Sequence, residues 1–390
     1  MSSSEIKILI TGDFCPINRI EKLALNQDFE GIFNNYINVL QGNDLNVTDL
    51  ECPLTFAETA RLKYGPHQKA HPDCIEILRY ADINLLALAN NHIMDYDTAG
   101  VNETLDLCEN NGIMTVGIGR NTEEAGNPFS VKIKGKSIAI LNFTDHEFIS
   151  TPDGSFMCNP IDPVNCFYDI IEVRKNHDYV IVIMHAGNEF YSLPSPRTKK
   201  LYRYLIDLGF DAIISHHTHT FSGYEVYNSK PIFYGLGNFI YDWPGKNTQD
   251  WNKGYTVRLI LSDKIDFEII PLKQGNDKPG VFHLTEQEAS DFNKEIDRLN
   301  SIIADSKQLE AEFQKYCNSV FPIYEAFVEP NFGKTVASLR KRGLFPKFMS
   351  RRKRLLLLNI SRCESHRDVL IRMLSKYEQN NSSISTKTKA

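Results

Sequence analysis

The chain has 390 residues, with 43 Lys and Arg against 49 Asp and Glu, a formal net charge of −6. With 42% hydrophobic and 24% charged residues and a mean hydropathy of −0.32, it has the makeup of a chain that buries a sizeable core, which excludes a disordered or fibrous protein. The longest unbroken apolar run, 179–184, is six residues against the ~20 of a membrane span, and the acidic balance gives no general pull toward nucleic acid.

The opening MSSSEIKILITGD lacks the basic region and long apolar stretch of a secretory signal. The eight cysteines form no C-x-x-C pair. Together these predict a cytoplasmic chain with reduced thiols. Short apolar runs follow one another at 6–10, 45–47, 84–89, 138–141, 179–184 and 212–214. They are rich in Ile, Leu and Val and apolar on both alternating faces, the pattern of buried strands. Helix candidates lie between them at 72–80, 99–110 and 198–208, with Gly112 and Gly209 after the last two, where a helix end favours glycine. This alternation predicts a layered α/β domain over 1–275.

From Thr285 the apolar residues Phe292, Ile296, Leu299, Ile303, Leu309, Phe313 and Tyr316 recur at helical spacing, and Thr285 with Glu288 fits a capping box. Residues 276–378 therefore read as a helical extension. Within it, 340–354 holds eight basic residues and no acidic one, followed by four leucines at 355–358. The polar tail 379–390 reads as disordered. The basic segment, with its interleaved Leu344, Phe345 and Phe348, suits a membrane surface or a protein partner better than nucleic acid. A solvated charged face is the plain alternative.

The informative pattern is where metal-capable residues fall. Each of five predicted strands runs into such a group: Asp13, then Asp49 and Glu51, then Asn90 to His92 with Asp95, then His185, then His216, His217 and His219. The C-terminal edge of an α/β sheet is where ligands bind. Carboxylates, imidazoles and an amide oxygen make a mixed nitrogen and oxygen donor set suited to Mn, Zn or Fe. One or two such divalent ions can clamp a phosphoryl or acyl oxygen and acidify a water into the attacking hydroxide. In the H-x-H of His217 and His219, alternate residues of an extended segment point to opposite sides and can serve different ions.

The series Thr11-Gly12-Asp13, Asp49-Leu50-Glu51-Cys52-Pro53-Leu54, Ala89-Asn90-Asn91-His92, His185-Ala186-Gly187, His217-Thr218-His219 and Tyr234-Gly235-Leu236-Gly237-Asn238-Phe239 resembles the CapA family of poly-γ-glutamate and capsule biosynthesis proteins, over about residues 6 to 242. That family resembles a branch of the calcineurin-like metallophosphoesterases. The resemblance implies a four-layer αββα sandwich with a dinuclear metal site, and a helical extension lying outside the match. It implies metal ligation by Asp13, Glu51 (bridging), Asn91, His185, His217 and His219. His92 would be the general acid or charge stabiliser, and Lys69 and Asn238 substrate-binding residues; Asp95, three residues after His92, is read as orienting that ring or capping the next helix. His216 is expected to face neighbouring structure, outside the ligand set, while His67, His71, His146 and Glu189 stay open as cleft residues.

Four positions depart from the pattern. Cys15 stands where phosphoesterases place a histidine, Ala186 where the family has tryptophan, Thr218 where it has proline, and Asp49 where asparagine is common. The expected activity is hydrolysis of a phosphoester or a γ-glutamyl-type amide in surface-polymer assembly, on an anionic polymer or a phosphorylated small molecule. A chain with that basic segment is expected to lie in the cytoplasm, peripheral to the inner face of the membrane. The alternative is a non-catalytic assembly factor that binds metal or polyanion in the same cleft.

Overall fold

The computed structural model describes residues 5–63, 65–243, 245, 248–275, 277–328, 333–345, 349–350 and 353–354. The strands, in chain order, are β1 (Ile6–Cys15), β2 (Leu45–Leu50), β3 (Leu85–Ala87), β4 (Met114–Val116), β5 (Ile118–Gly119), β6 (Phe129–Ile133), β7 (Lys136–Thr144) and β8 (Met157–Cys158). They continue with β9 (Tyr179–His185), β10 (Ala212–His216), β11 (Tyr224–Tyr227), β12 (Lys230–Phe233), β13 (Asn238–Tyr241), β14 (Lys253–Leu261), β15 (Ile265–Gln274) and β16 (Val281–His283).

They assemble into two main sheets. The first has the order β16-β15-β14-β1-β2-β3-β4, with β13 also paired to β1; the second has the order β11-β12-β10-β9-β7-β6. At the centre of the first, β1 to β4 run parallel. At the centre of the second, β7, β9, β10 and β12 run parallel. Parallel neighbours bring their C-terminal ends to one edge, which positions the chemistry.

The period of two along β1 explains the layering. Ile6, Ile8 and Ile10 share a buried cluster with Ile140, Val182 and Ile214 of the second sheet. Leu9 points the other way, into a cluster with Ile20, Leu78 and Val101 of the flanking helices. The outer face of the second sheet is covered by helices Pro163–Arg174 and Pro196–Leu208, whose Ile170, Tyr202 and Leu205 join the core. The result is helix, sheet, sheet, helix: a four-layer αββα sandwich.

Local signals fix the helix ends. Ser195 caps Pro196–Leu208 by accepting from the Thr198 amide, Pro196 occupies the first turn, and Gly209 follows at φ 125°. Asp162 caps the other outer helix in the same way, through the Val164 and Asn165 amides.

The compact unit runs through Leu309, not 275. The reason is the helix Glu286–Ala304, opened by the full Thr285–Glu288 capping box. It lays Phe292 against Phe221 and Tyr255, with ring centroids 4.9 and 5.9 Å apart. Its Asn300 accepts from the Tyr224 amide at 2.7 Å, and the Lys199 ammonium donates to the Ile303 carbonyl. The described residues from Glu310 on fall in a second unit, which holds most of the helix Ser306–Val328 and the helix Lys334–Lys341. Most of the basic segment beyond 345, the leucines at 355–358 and the tail lie outside the described residues. Among the described residues, no helix is long and apolar enough to cross a membrane.

Candidate metal centre

Two sequence motifs meet at the strand ends. Asp13 of β1 sits in register with Asp49 of β2 on one side and Asn238 of β13 on the other, and its amide donates to the Gly237 carbonyl at 3.1 Å. A Cβ on Gly12 would lie 2.0 Å from that same carbonyl oxygen. Glycine is required there because two backbones approach too closely for any side chain.

Around Asp13 the donors converge, all buried. Glu51, His185 and His217 form one group, and Asp13, Glu51 and His219 another; within each, one donor atom per residue lies within 4.8 Å of the others. Glu51 is common to both, the position of a bridging carboxylate.

Hydrogen bonds on the far side of each ring aim the nitrogens. His185 Nδ1 faces Asp49 Oδ2 at 3.1 Å. Its Nε2 faces Asn91 Oδ1 at 3.0 Å, His217 Nδ1 at 3.1 Å and Glu51 Oε1 at 3.7 Å; with the hydrogen on Nδ1, that nitrogen would present its lone pair to the site. Asn91 turns its amide nitrogen to Glu147 at 3.4 Å, which leaves its oxygen pointing inward. Asn238 donates to the Trp251 carbonyl at 3.0 Å and accepts from His219 Nδ1 at 3.0 Å. His219 Nε2 is thus directed to Glu51 Oε1 at 3.5 Å. His217 and His219 hold φ angles of 83° and 56°, a left-handed conformation that only glycine adopts freely.

Electrostatics follow from this crowding. Burial, reinforced by Asp13 and Asp49, pushes the Glu51 carboxyl well above its ordinary range. Burial raises Asp49 to about 8. Asp13 is held down at about 2, because its bond to His219 and the surrounding imidazoles outweigh the upward push of burial. Burial lowers His217 to about 3 and drives His185 well below its usual value. Both shifts favour the neutral ring that metal ligation requires.

Both Glu51 oxygens are buried with no hydrogen-bond partner. Such atoms are costly unless something satisfies them. The carboxylate, amide and imidazole donors that face one another there are a set that a divalent cation fits. The residues that would hold it are Glu51, Asn91, His185 and His217 on one side, and Asp13, Glu51 and His219 on the other.

Beside this set, His92 Nδ1 donates to Asp95 Oδ2 at 2.7 Å. The other Asp95 oxygen pairs with the ammonium of Lys63, whose side chain is 1% exposed. That ammonium also lies 3.4 Å from the Asn91 carbonyl and 5.0 Å above the Phe148 ring. Burial lowers the Lys63 pKa against the pull of Asp95, and burial lowers that of His92. Sequence reasoning missed Lys63, which stands in a loop without periodicity; its place six residues before Lys69 carries no signal of burial. Lys69 itself donates to the Ala57 carbonyl at 2.6 Å and sits over Tyr96, so its charge is committed within the loop. Cys15 joins neither donor group; burial and neighbouring Cys52 push its thiol well up.

The chain is a four-layer α/β sandwich that gathers buried carboxylate, amide and imidazole donors at the ends of its parallel strands. Residues 7–243 match the model of the bacterial capsule synthesis protein PGA_cap family, and the chain belongs to that family. PGA biosynthesis protein CapA of Bacillus subtilis (strain 168) is 29% identical over 253 residues, 64% of this chain and 67% of the relative. Capsule biosynthesis protein CapA of Bacillus anthracis is 27% identical over 290 residues, 71% of this chain and 70% of the relative. Among solved structures, the 5'-nucleotidase from Candida albicans SC5314 aligns at a TM-score of 0.38 and 12% identity, over 81% of this chain and 57% of its own.

Proposed function

We propose that this chain is a metal-dependent hydrolase of capsule or poly-γ-glutamate assembly, acting on a phosphoester or a γ-glutamyl-type amide. The observation that carries this reading is the unsatisfied Glu51 carboxylate, buried between His185 and His217 on one side and His219 on the other, with a His92–Asp95 pair next along the chain from Asn91. Divalent Mn, Zn or Fe bound there would supply Lewis acidity toward the scissile group and acidify a water. The chain's own part is positioning. Asp49 and Asn238 fix the ligand tautomers, and Asp95 holds the His92 ring by Nδ1, leaving Nε2 to hold or release a proton at the leaving atom.

A second reading is a non-catalytic assembly factor that binds metal or an anionic polymer. It is favoured by Cys15, whose sulfur leaves the Asp13 side one donor poorer than a phosphoesterase. The basic segment 340–354 would serve association with an anionic surface or a protein partner in either case. Elemental analysis of the purified chain, followed by assay of the Mn-, Zn- and Fe-loaded forms on phosphoesters and γ-glutamyl amides, separates the two. Metal with turnover supports the hydrolase, metal without turnover on either class supports the assembly factor, and no uptake of metal sinks both metal readings.

A further inference from the structure

His216 ends β10 with 1% of its surface exposed. Its Nε2 lies 2.8 Å from the Thr11 carbonyl oxygen. A carbonyl only accepts, so Nε2 carries the hydrogen, and in the neutral ring the lone pair sits on Nδ1. That Nδ1 is buried and has no hydrogen-bond partner. It is not stranded at random: one ring nitrogen of His216 and one carboxylate oxygen each of Asp13 and Asp49 all lie within 4.8 Å of one another. A backbone carbonyl on one ring nitrogen and an unsatisfied lone pair on the other is the arrangement that orients a metal-ligating histidine.

We propose that His216 is a metal ligand, through Nδ1, for the ion on the Asp13 side of the centre. This rests on the metal reading above and adds to it a residue outside the expected set. The Asp13 side is where a donor is missing, because position 15 carries a cysteine whose sulfur joins no donor group. His216 reaches the same carboxylate from the second sheet instead of from two residues along β1. The competing account is a core histidine satisfied by Thr11 alone, which gives His216 no bearing on metal uptake.

The test uses the full chain, stripped by chelator and reloaded with Mn or Zn. Ion content is measured for wild type and His216→Gln, where glutamine keeps a donor for Thr11. The expected result is two ions per chain in wild type, one of them lost or weakened by at least about tenfold in the variant. As a check free of any folding defect, nitrogen NMR of histidine-labelled wild type should show the His216 Nδ1 signal moving on Zn addition while the Nε2 proton stays bound. Equal ion content and affinity in both proteins, or an unmoved Nδ1 signal, overturns the proposal while leaving the Glu51, Asn91, His185 and His217 group standing. Wild type that takes up no metal at all overturns both.

Discussion

The two sheets contribute opposite halves of the centre. The first supplies acids and an amide: Asp13 from β1, Asp49 and Glu51 from β2 and its end, Asn91 from the loop after β3. The second supplies only imidazoles: His185 from β9, then His216, His217 and His219 from β10 and the turn after it. Neither half is comfortable alone. Burial pushes the Glu51 carboxyl up, with Asp13 and Asp49 adding to it, and burial lowers the pKa values of His185 and His217. Only their juxtaposition across the sandwich gathers both kinds of donor in one place, so the site belongs to the packing of the sheets and not to either sheet.

The largest blow to this balance should come from the residue both donor groups share. Glu51→Gln is expected to abolish most metal uptake by elemental analysis, because the amide removes the buried anionic oxygens that both donor groups share. Retention of metal in this variant would deny the bridging role. From the opposite sheet, His217→Ala with His219→Ala should match that loss of metal and leave the far-UV circular dichroism unchanged.

Next in size is Lys63→Met, which leaves a buried Asp95 oxygen without its cation. Breaking such a pair costs about 3–5 kcal/mol, readable as a lower urea midpoint. Adding Asp95→Asn should recover part of it, and failure to recover any would place the effect in packing. For His92→Gln, metal content and stability should hold while turnover on the true substrate falls by at least ~10²-fold. Loss of metal there would recast His92 as a ligand.

The smallest effect lies at the edge of the first sheet. Glu288 bonds Lys273 of β15 and the Thr285 amide, the lysine contributing most, and together they hold its carboxyl at about 2 instead of 4.5. A depressed acid stabilises the fold above its ordinary pKa and loses that contribution as pH falls. Amide protection in the helix Glu286–Ala304, corrected for intrinsic exchange, should therefore decline between pH 4.5 and about 2. In Glu288→Gln that particular dependence should vanish.

Much of this was legible in the sequence because strand ends announce themselves. The apolar runs before Asp13, Glu51, Asn91, His185 and His217 stop abruptly at polar groups, and the observed β1, β2, β9 and β10 end within a few residues of them. What the sequence hid is whatever depends on one sheet meeting the other. Nothing local says that Lys63 is buried and Lys69 turned to Ala57, since both sit in an irregular loop. The free nitrogen of His216 is visible only once β10 packs over the Thr11 carbonyl. The helix Glu286–Ala304 read correctly as amphipathic, but its period does not say that Phe221 and Tyr255 wait for it.

The turn carrying His217 and His219 holds both at positive φ, at a cost of about 1–3 kcal/mol each by the usual scale for such backbone. That makes the motif a standing burden on the empty protein, relieved only by glycine or by a ligand that needs imidazole there. Replacing both with glycine should therefore yield a chain more resistant to heat and unable to hold its ion. Under selection for durability alone, this turn would be among the earliest parts of the molecule to drift.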